Sequence, residues 1–331
     1  MKLFPLRLTT LVLGSLFLLN GSVTPSSVSP SGNSRGPRVP QSFTRMFDGQ
    51  CFSAKIFILA PPFSPSPAPV AAIAQSCGNA IAFDPADGAF VVTSGAVFGK
   101  LSVNVYRPPY SSVSVPAVSF SPSALSHPRQ VAWDGSGNVW LSDDAANRVY
   151  EFRAPFSPSS VPAAENALAT QPVGLAIDPE AGLMFIGDVG GSSACAKTSC
   201  RIDVVRAPYT GAPVVTLALG DSTPAALAVD EMGRLFVGFE SGSSKRLIKV
   251  YVPPFATGES AAYTLDAGGP INSLAFDPNQ NLYAQLHDTG GVVVFDGPIS
   301  GSASTPSASL GCPHGVANCE LKNWAGLAFG P

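Results

Sequence analysis

The stretch that decides the fold runs from Val131 to Phe152 and reads VAWDGSGNVWLSDDAANRVYEF. VAWD is a short apolar run that predicts a buried first strand. GSG is a hairpin turn, NVWLSD a second strand, DAAN a second turn and RVYEF a third strand. Downstream, PFSPS is a Pro-rich turn, and the weaker segment from Val161 to Leu168 predicts a fourth strand. Four short antiparallel strands in about 45 residues make one blade-sized sheet.

The unit repeats. AIAFDP at Ala80, QVAWDG at Gln130, GLAIDP at Gly174, ALAVDE at Ala226, SLAFDP at Ser273 and GLAFGP at Gly326 align on Ala82, Ala132, Ala176, Ala228, Ala275 and Ala328. The shared alanines are 50, 44, 52, 47 and 53 residues apart, a period suited to four strands and their turns. A second marker recurs after each predicted third strand: APPFS at Pro62, RPPYS at Pro109, RAPFS at Pro155, RAPYT at Pro208, VPPFA at Pro254 and DGPIS at Pro298. The first of these markers has no alanine segment before it, and the last alanine segment, Leu327 to Pro331, has no marker after it. The C-terminal strand is therefore expected to complete the first blade. That closes a six-bladed all-β propeller and removes the exposed edges of an open array.

The residues from Val131 to Phe152 resemble a unit of the NHL-repeat family, and the resemblance extends over roughly 43–331. It implies a six-bladed propeller and leaves function open, because such propellers include binding modules and enzymes alike. The gluconolactonase and regucalcin group is similar in blade number. Its metal site, a Glu, Asn, Asn, Asp set around the channel, implies a divalent-metal-dependent lactone or ester hydrolase, with Ca²⁺ as a candidate ion. The chain departs from that set where NWAGLAF, from Asn323, offers no Glu. An eight-bladed quinoprotein is excluded by blade count.

Composition agrees with a turn-rich β-protein. Of 331 residues, 32 are Gly and 32 are Pro, while 12% are charged and 45% hydrophobic. A formal charge of -3 without basic clusters gives no footprint for nucleic acid or anionic lipid. At the N-terminus, Lys2 and Arg7 precede the apolar run Leu8 to Leu19, which is the layout of a secretory signal peptide. Twelve apolar residues are too few to cross a bilayer core that needs about 20 in a helix, so no stable membrane insertion is expected. The expected organisation is a signal over 1–22, a disordered Ser/Pro/Gly-rich tether over 23–42 and the propeller over 43–331, in a monomer that is secreted or periplasmic.

Six cysteines in an exported chain suggest disulfides. Spacing pairs Cys195 with Cys200 and Cys312 with Cys319, leaving Cys51 and Cys77, although six cysteines allow 15 connectivities. All six are expected on one face, that of the loops leading into first strands and joining second to third strands. Polar residues expected at the channel mouth on this face are Asn79, Arg129, Asp143, Asp188, Glu240, Asn272 and His287. Asn79, Arg129, Asp143, Asp188 and Asn272 are the candidate ligand-binding set. Asp143 and Asp188 each precede an Arg at the start of the next strand, Arg148 or Arg201, so a hairpin ion pair is expected of both. The Asp closing each first strand (Asp84, Asp134, Asp178, Asp230, Asp277) is expected to accept turn N–H groups. The aromatics after the marker prolines are expected to pack between adjacent blades or to cover turns.

No nucleophile elbow, metal-ligand spacing or phosphate loop is present, so catalytic residues, metal ligands and resident cofactors are assigned to none. The reading is a non-catalytic binding module for a protein or glycan, with the metal-dependent hydrolase as the alternative.

Overall fold

The computed structural model describes residues 27–28, 39–50, 53–75, 78–94, 101–167, 169–190, 195, 200–301, 305–311 and 326–331. Six four-stranded antiparallel sheets form a closed ring, and among the described residues there is no α-helix. Blade 1 consists of Arg45–Gln50, Lys55–Leu59 and Ala71–Ala74, completed by the C-terminal strand Leu327–Gly330 as its innermost member. The innermost strands of blades 2 to 6 are Gly78–Phe83, Pro128–Trp133, Pro172–Asp178, Thr223–Val229 and Ile271–Phe276. Ring closure is made by Asp48 standing opposite Leu327 and Phe47 opposite Ala328.

The shared alanines explain how six sheets converge on one axis. Side chains of a strand alternate between its faces. In every innermost strand the alanine faces the following blade and its larger neighbours face the preceding one. Ala82 packs with Val131 and Trp133, Ala132 with Leu175 and Ile177, and Ala176 with Leu227 and Val229. Ala228 packs with Leu274 and Phe276, Ala275 with Leu327 and Phe329, and Ala328 with Ile81 and Phe83. Each seam therefore sets small against large where the sheets lie closest. Seams tighten further through small residues of the second strands. A Cβ on Gly187 would lie 2.5 Å from the Pro224 carbonyl oxygen, and one on Gly238 would lie 2.7 Å from Ile271 Cγ2.

Each first strand ends in a carboxylate-held turn. One oxygen of Asp134 accepts from the backbone N–H groups of Ser136 and Asn138 at 2.8 and 3.0 Å. Its other oxygen accepts from Asn138 Nδ2 and Trp140 Nε1. Asp84, Asp178, Asp230 and Asp277 likewise accept N–H groups two to four residues on. The turn then needs a positive φ, supplied by Gly137 at 75° and Gly233 at 73°; Gln280 adopts 63° at the same place. The last copy of the segment has Gly330 in place of the Asp, and the Phe83 ring lies where its Cβ would be.

The marker prolines all follow cis peptide bonds, and the residue after each reaches back to the preceding blade. Phe63 meets Tyr283, Tyr110 meets Phe47, Phe156 meets Phe120, Tyr209 meets Trp140 and Phe255 meets Phe185, with centroids 5.3 to 6.1 Å apart. Such pairs add ~1 kcal/mol each beyond area burial. Ile299, the aliphatic member, packs with Phe236 of blade 5, and its carbonyl accepts from Arg234.

Within the stretch expected to be a tether, Ser27–Val28 pairs antiparallel with Phe255–Ala256, and Phe43 N–H donates to the Pro40 carbonyl.

At the level of the second strands, the seam between blades 6 and 1 carries a polar contact in place of a small residue. Gln285, in the position occupied by Gly187 and Gly238, donates to Asp48 Oδ1 at 2.6 Å, and Gln50 donates to both Asp48 oxygens. Asp48 is 2% exposed and has no cation beside it among the described residues, so burial pushes its pKa up from 3.8 to about 7 against the two amide donors. A folded-state pKa above the unfolded one means that folding is favoured by protonation. This contribution is full below pH ~4 and is lost as pH rises to about 7, a difference of up to about 4 kcal/mol at 1.36 kcal/mol per unit. Asp48→Asn is isosteric and neutral, and it can donate to Gln285 Oε1, which otherwise lacks a donor. Melting curves of both proteins should nearly coincide at pH 4 and separate at pH 8, with the Asn variant higher by several degrees.

Candidate functional site

The loops leading into first strands and those joining second to third strands share one face, as the antiparallel order requires. At its centre Arg129, from Pro128–Trp133 of blade 3, donates from Nη2 to Glu240 Oε2 of blade 5 at 2.9 Å. These blades are not neighbours, so the pair runs over the inner end of the ring. Arg129 Nε lies 3.6 Å from Asp144 Oδ2, and Asp144 Oδ1 lies 2.7 Å from His127 Nδ1. Arg129 is 7% exposed, Asp144 13%, Glu240 23% and His127 29%, so the cation is enclosed while its partners keep contact with water. Burial lowers the Arg129 pKa, and the Glu240 and Asp144 charges oppose that shift.

Asp143 and Asp188 serve a different purpose. Asp143 accepts backbone N–H groups of Ser126 at 2.7 Å, His127 at 3.0 Å and Ala146 at 2.9 Å, and it is wholly buried. The ion pair expected between Asp143 and Arg148 is not formed: Arg148 lies 3.4 Å from Glu165, because the lead-in loop has already taken the Asp143 oxygens. Asp188 accepts from Thr170, Gln171 and Gly190 N–H groups, and here Arg201 does close the hairpin at 2.8 Å. Both carboxylates pin the loop that enters their own blade. Lone pairs aimed at N–H donors are unsuited to a hard cation, and among the described residues no three His, Cys, Asp or Glu side chains converge.

Asn272 and His287 do not join the Arg129 cluster. Asn272 is half-buried beside Ile271, and His287 Nδ1 lies 3.0 Å from Asp288. Asn79 belongs to Gly78–Phe83, but its side chain is outside the described residues. Cys195 and Cys200 form a disulfide, with Cα atoms 5.3 Å apart, in the blade 4 loop on this face. Cys51, Cys77, Cys312 and Cys319 lie outside the described residues.

A second feature was not anticipated. A cavity of about 450 Å³ occupies the axis, and all six shared alanines contribute to its wall. Its lining includes the turn residues Pro85, Asp134, Gly135, Pro179 and Glu180 together with Val39, Pro40 and Phe43, so it reaches the face opposite the disulfide.

No protein-family model matches the chain, and no curated protein matches it. Solved structures do. A functionally unknown protein from Desulfotomaculum acetoxidans is similar with a TM-score of 0.55 at 16% identity, over 89% of this chain and 88% of that one. The β-propeller domain of Cps50 (Swd1) from Myceliophteria thermophila gives a TM-score of 0.56 at 9% identity, over 87% and 92%. At such identities the likeness shows the propeller fold.

Removing one partner of the enclosed ion pair leaves carboxylates without their cation. Arg129→Met should cost ~3 kcal/mol in a denaturant melt, whereas Arg129→Met with Glu240→Leu should recover at least about half of that loss.

Proposed function

We propose that the chain is an exported, NHL-like β-propeller that acts as a non-catalytic binding module for a protein or glycan, engaged through the disulfide-bearing loop face. The observation that carries this reading is the cluster of His127, Asp144, Arg129 and Glu240. It places two carboxylates and an imidazole, still in contact with water, around an enclosed cation at the centre of a face on which the lead-in loops of blades 3 and 4 are fixed. Asp143 and Asp188 hold the lead-in loops of blades 3 and 4 through backbone N–H groups. Loops ordered before binding lose less entropy when a ligand arrives, and a rigid scaffold carrying polar loops is the common form of a recognition surface.

The Cys195–Cys200 bridge supports an oxidising destination, as the N-terminal signal layout does. The unit from Val131 to Phe152 supports the NHL-like assignment, with its three strands and the following Ala164–Asn166 in the expected order.

The test pairs a positive arm with the hydrolase alternative. The purified chain is applied to arrays of glycans and of secreted-protein ectodomains, alongside Glu240→Ala and His127→Ala. Binding that both substitutions weaken by ~10-fold or more supports the reading. Melting curves with calcium and with chelator should superimpose, and a panel of lactones and esters should show no turnover. Chelator-sensitive turnover, or a calcium-induced rise of several degrees, overturns it in favour of a metal-dependent hydrolase.

A further inference from the structure

We propose that the axial cavity is a second, separate binding site, for an uncharged and predominantly apolar small molecule that enters from the turn face. Its volume, about 450 Å³, falls within the ~300–1,000 Å³ typical of small-ligand sites. The wall is built from the alanine ring and from large apolar side chains such as Leu175, Leu274, Phe276 and Trp133. Water gains little from such a lining. An apolar guest removes that surface from water.

Two polar features define the ligand further. Gln130 lines the cavity toward its loop-face end and is half-buried. Its equivalents in the other blades are Ala80, Gly174, Ala226, Ser273 and Gly326, so it is the one long polar side chain at that level. The Ser273 hydroxyl already accepts the Leu327 N–H at 3.1 Å, whereas the Gln130 amide has no hydrogen-bond partner among the described residues. It therefore offers a neutral donor and acceptor to a hydroxyl, carbonyl or amide on the guest. At the opposite end Asp134 and the exposed Glu180 contribute negative charge, and no Lys, Arg or His belongs to the lining. An anionic head group is disfavoured there. The chemistry selects a neutral, mostly hydrocarbon molecule with one hydrogen-bonding group. The charged cluster on the other face takes no part in it, so the two proposals stand or fall separately.

The test uses the neutral probe N-phenyl-1-naphthylamine and the anionic probe anilinonaphthalene sulfonate on the full chain. The neutral probe should give saturable fluorescence and quench tryptophan emission through Trp133 in the wall. It should also raise the melting temperature. Gln130→Phe and Ala132→Leu both fill the cavity. In whichever of them melts cooperatively, affinity for the neutral probe should fall at least ~10-fold. The proposal is overturned by a wild-type chain that gives no saturable signal, by unchanged affinity in a folded filled variant, or by the anionic probe binding as tightly as the neutral one.

Discussion

Six sheets can share an axis only if they fit together where they are closest, and this crowding governs the rest of the molecule. The solution is the same at every seam: an alanine on one innermost strand against Leu, Val, Ile, Phe or Trp on the next. Interiors are packed to crystal-like density, so an extra methylene at any of these alanines would be felt around the ring. The carboxylate-held turns bring each chain back from the crowded inner edge. The residues after the marker prolines then fill the wider part of each seam. Alanine, Asp and Pro-aromatic signals thus have one steric origin.

That common origin explains what could be read from the residues alone. Constraints that act identically on six blades leave six copies, so strand order, closure by Leu327–Gly330, the turn role of the Asp series and the inter-blade packing were all legible. Features that break the repeat left no such trace. Arg129 and Glu240 are 111 residues apart on non-adjacent blades, and no spacing announces their contact. Asp48 and Gln285 replace small or apolar residues in single copies. Asp143 was misjudged for another reason. Arg148 stands directly opposite it on the neighbouring strand, yet competition from lead-in loop N–H groups decided the outcome. The axial cavity was missed because it is a space bounded by all blades and a property of none.

The two ends of the ring have acquired opposite characters. One carries a cluster in which an enclosed Arg129 is ringed by carboxylates that reach water. The other leads through Pro-rich turns into an apolar interior. The strand alternation that makes the seams close-packed requires neither; polar groups are most easily accommodated where strands end and N–H groups become available to pair with them.

Blade 1 is assembled from strands 279 residues apart, as measured from Asp48 to Leu327, whereas every other blade is a local meander. Relative to a blade of about 45 residues, the additional loop-closure entropy is about 1.6 kcal/mol, since the term grows only with the logarithm of length. Uniting such distant segments therefore costs little at equilibrium. Kinetically the separation matters more, because the closure entropy must be paid before a non-local pairing offsets it. The closing strand Leu327–Gly330 thus lies beside Asp48, the polar exception of the seams.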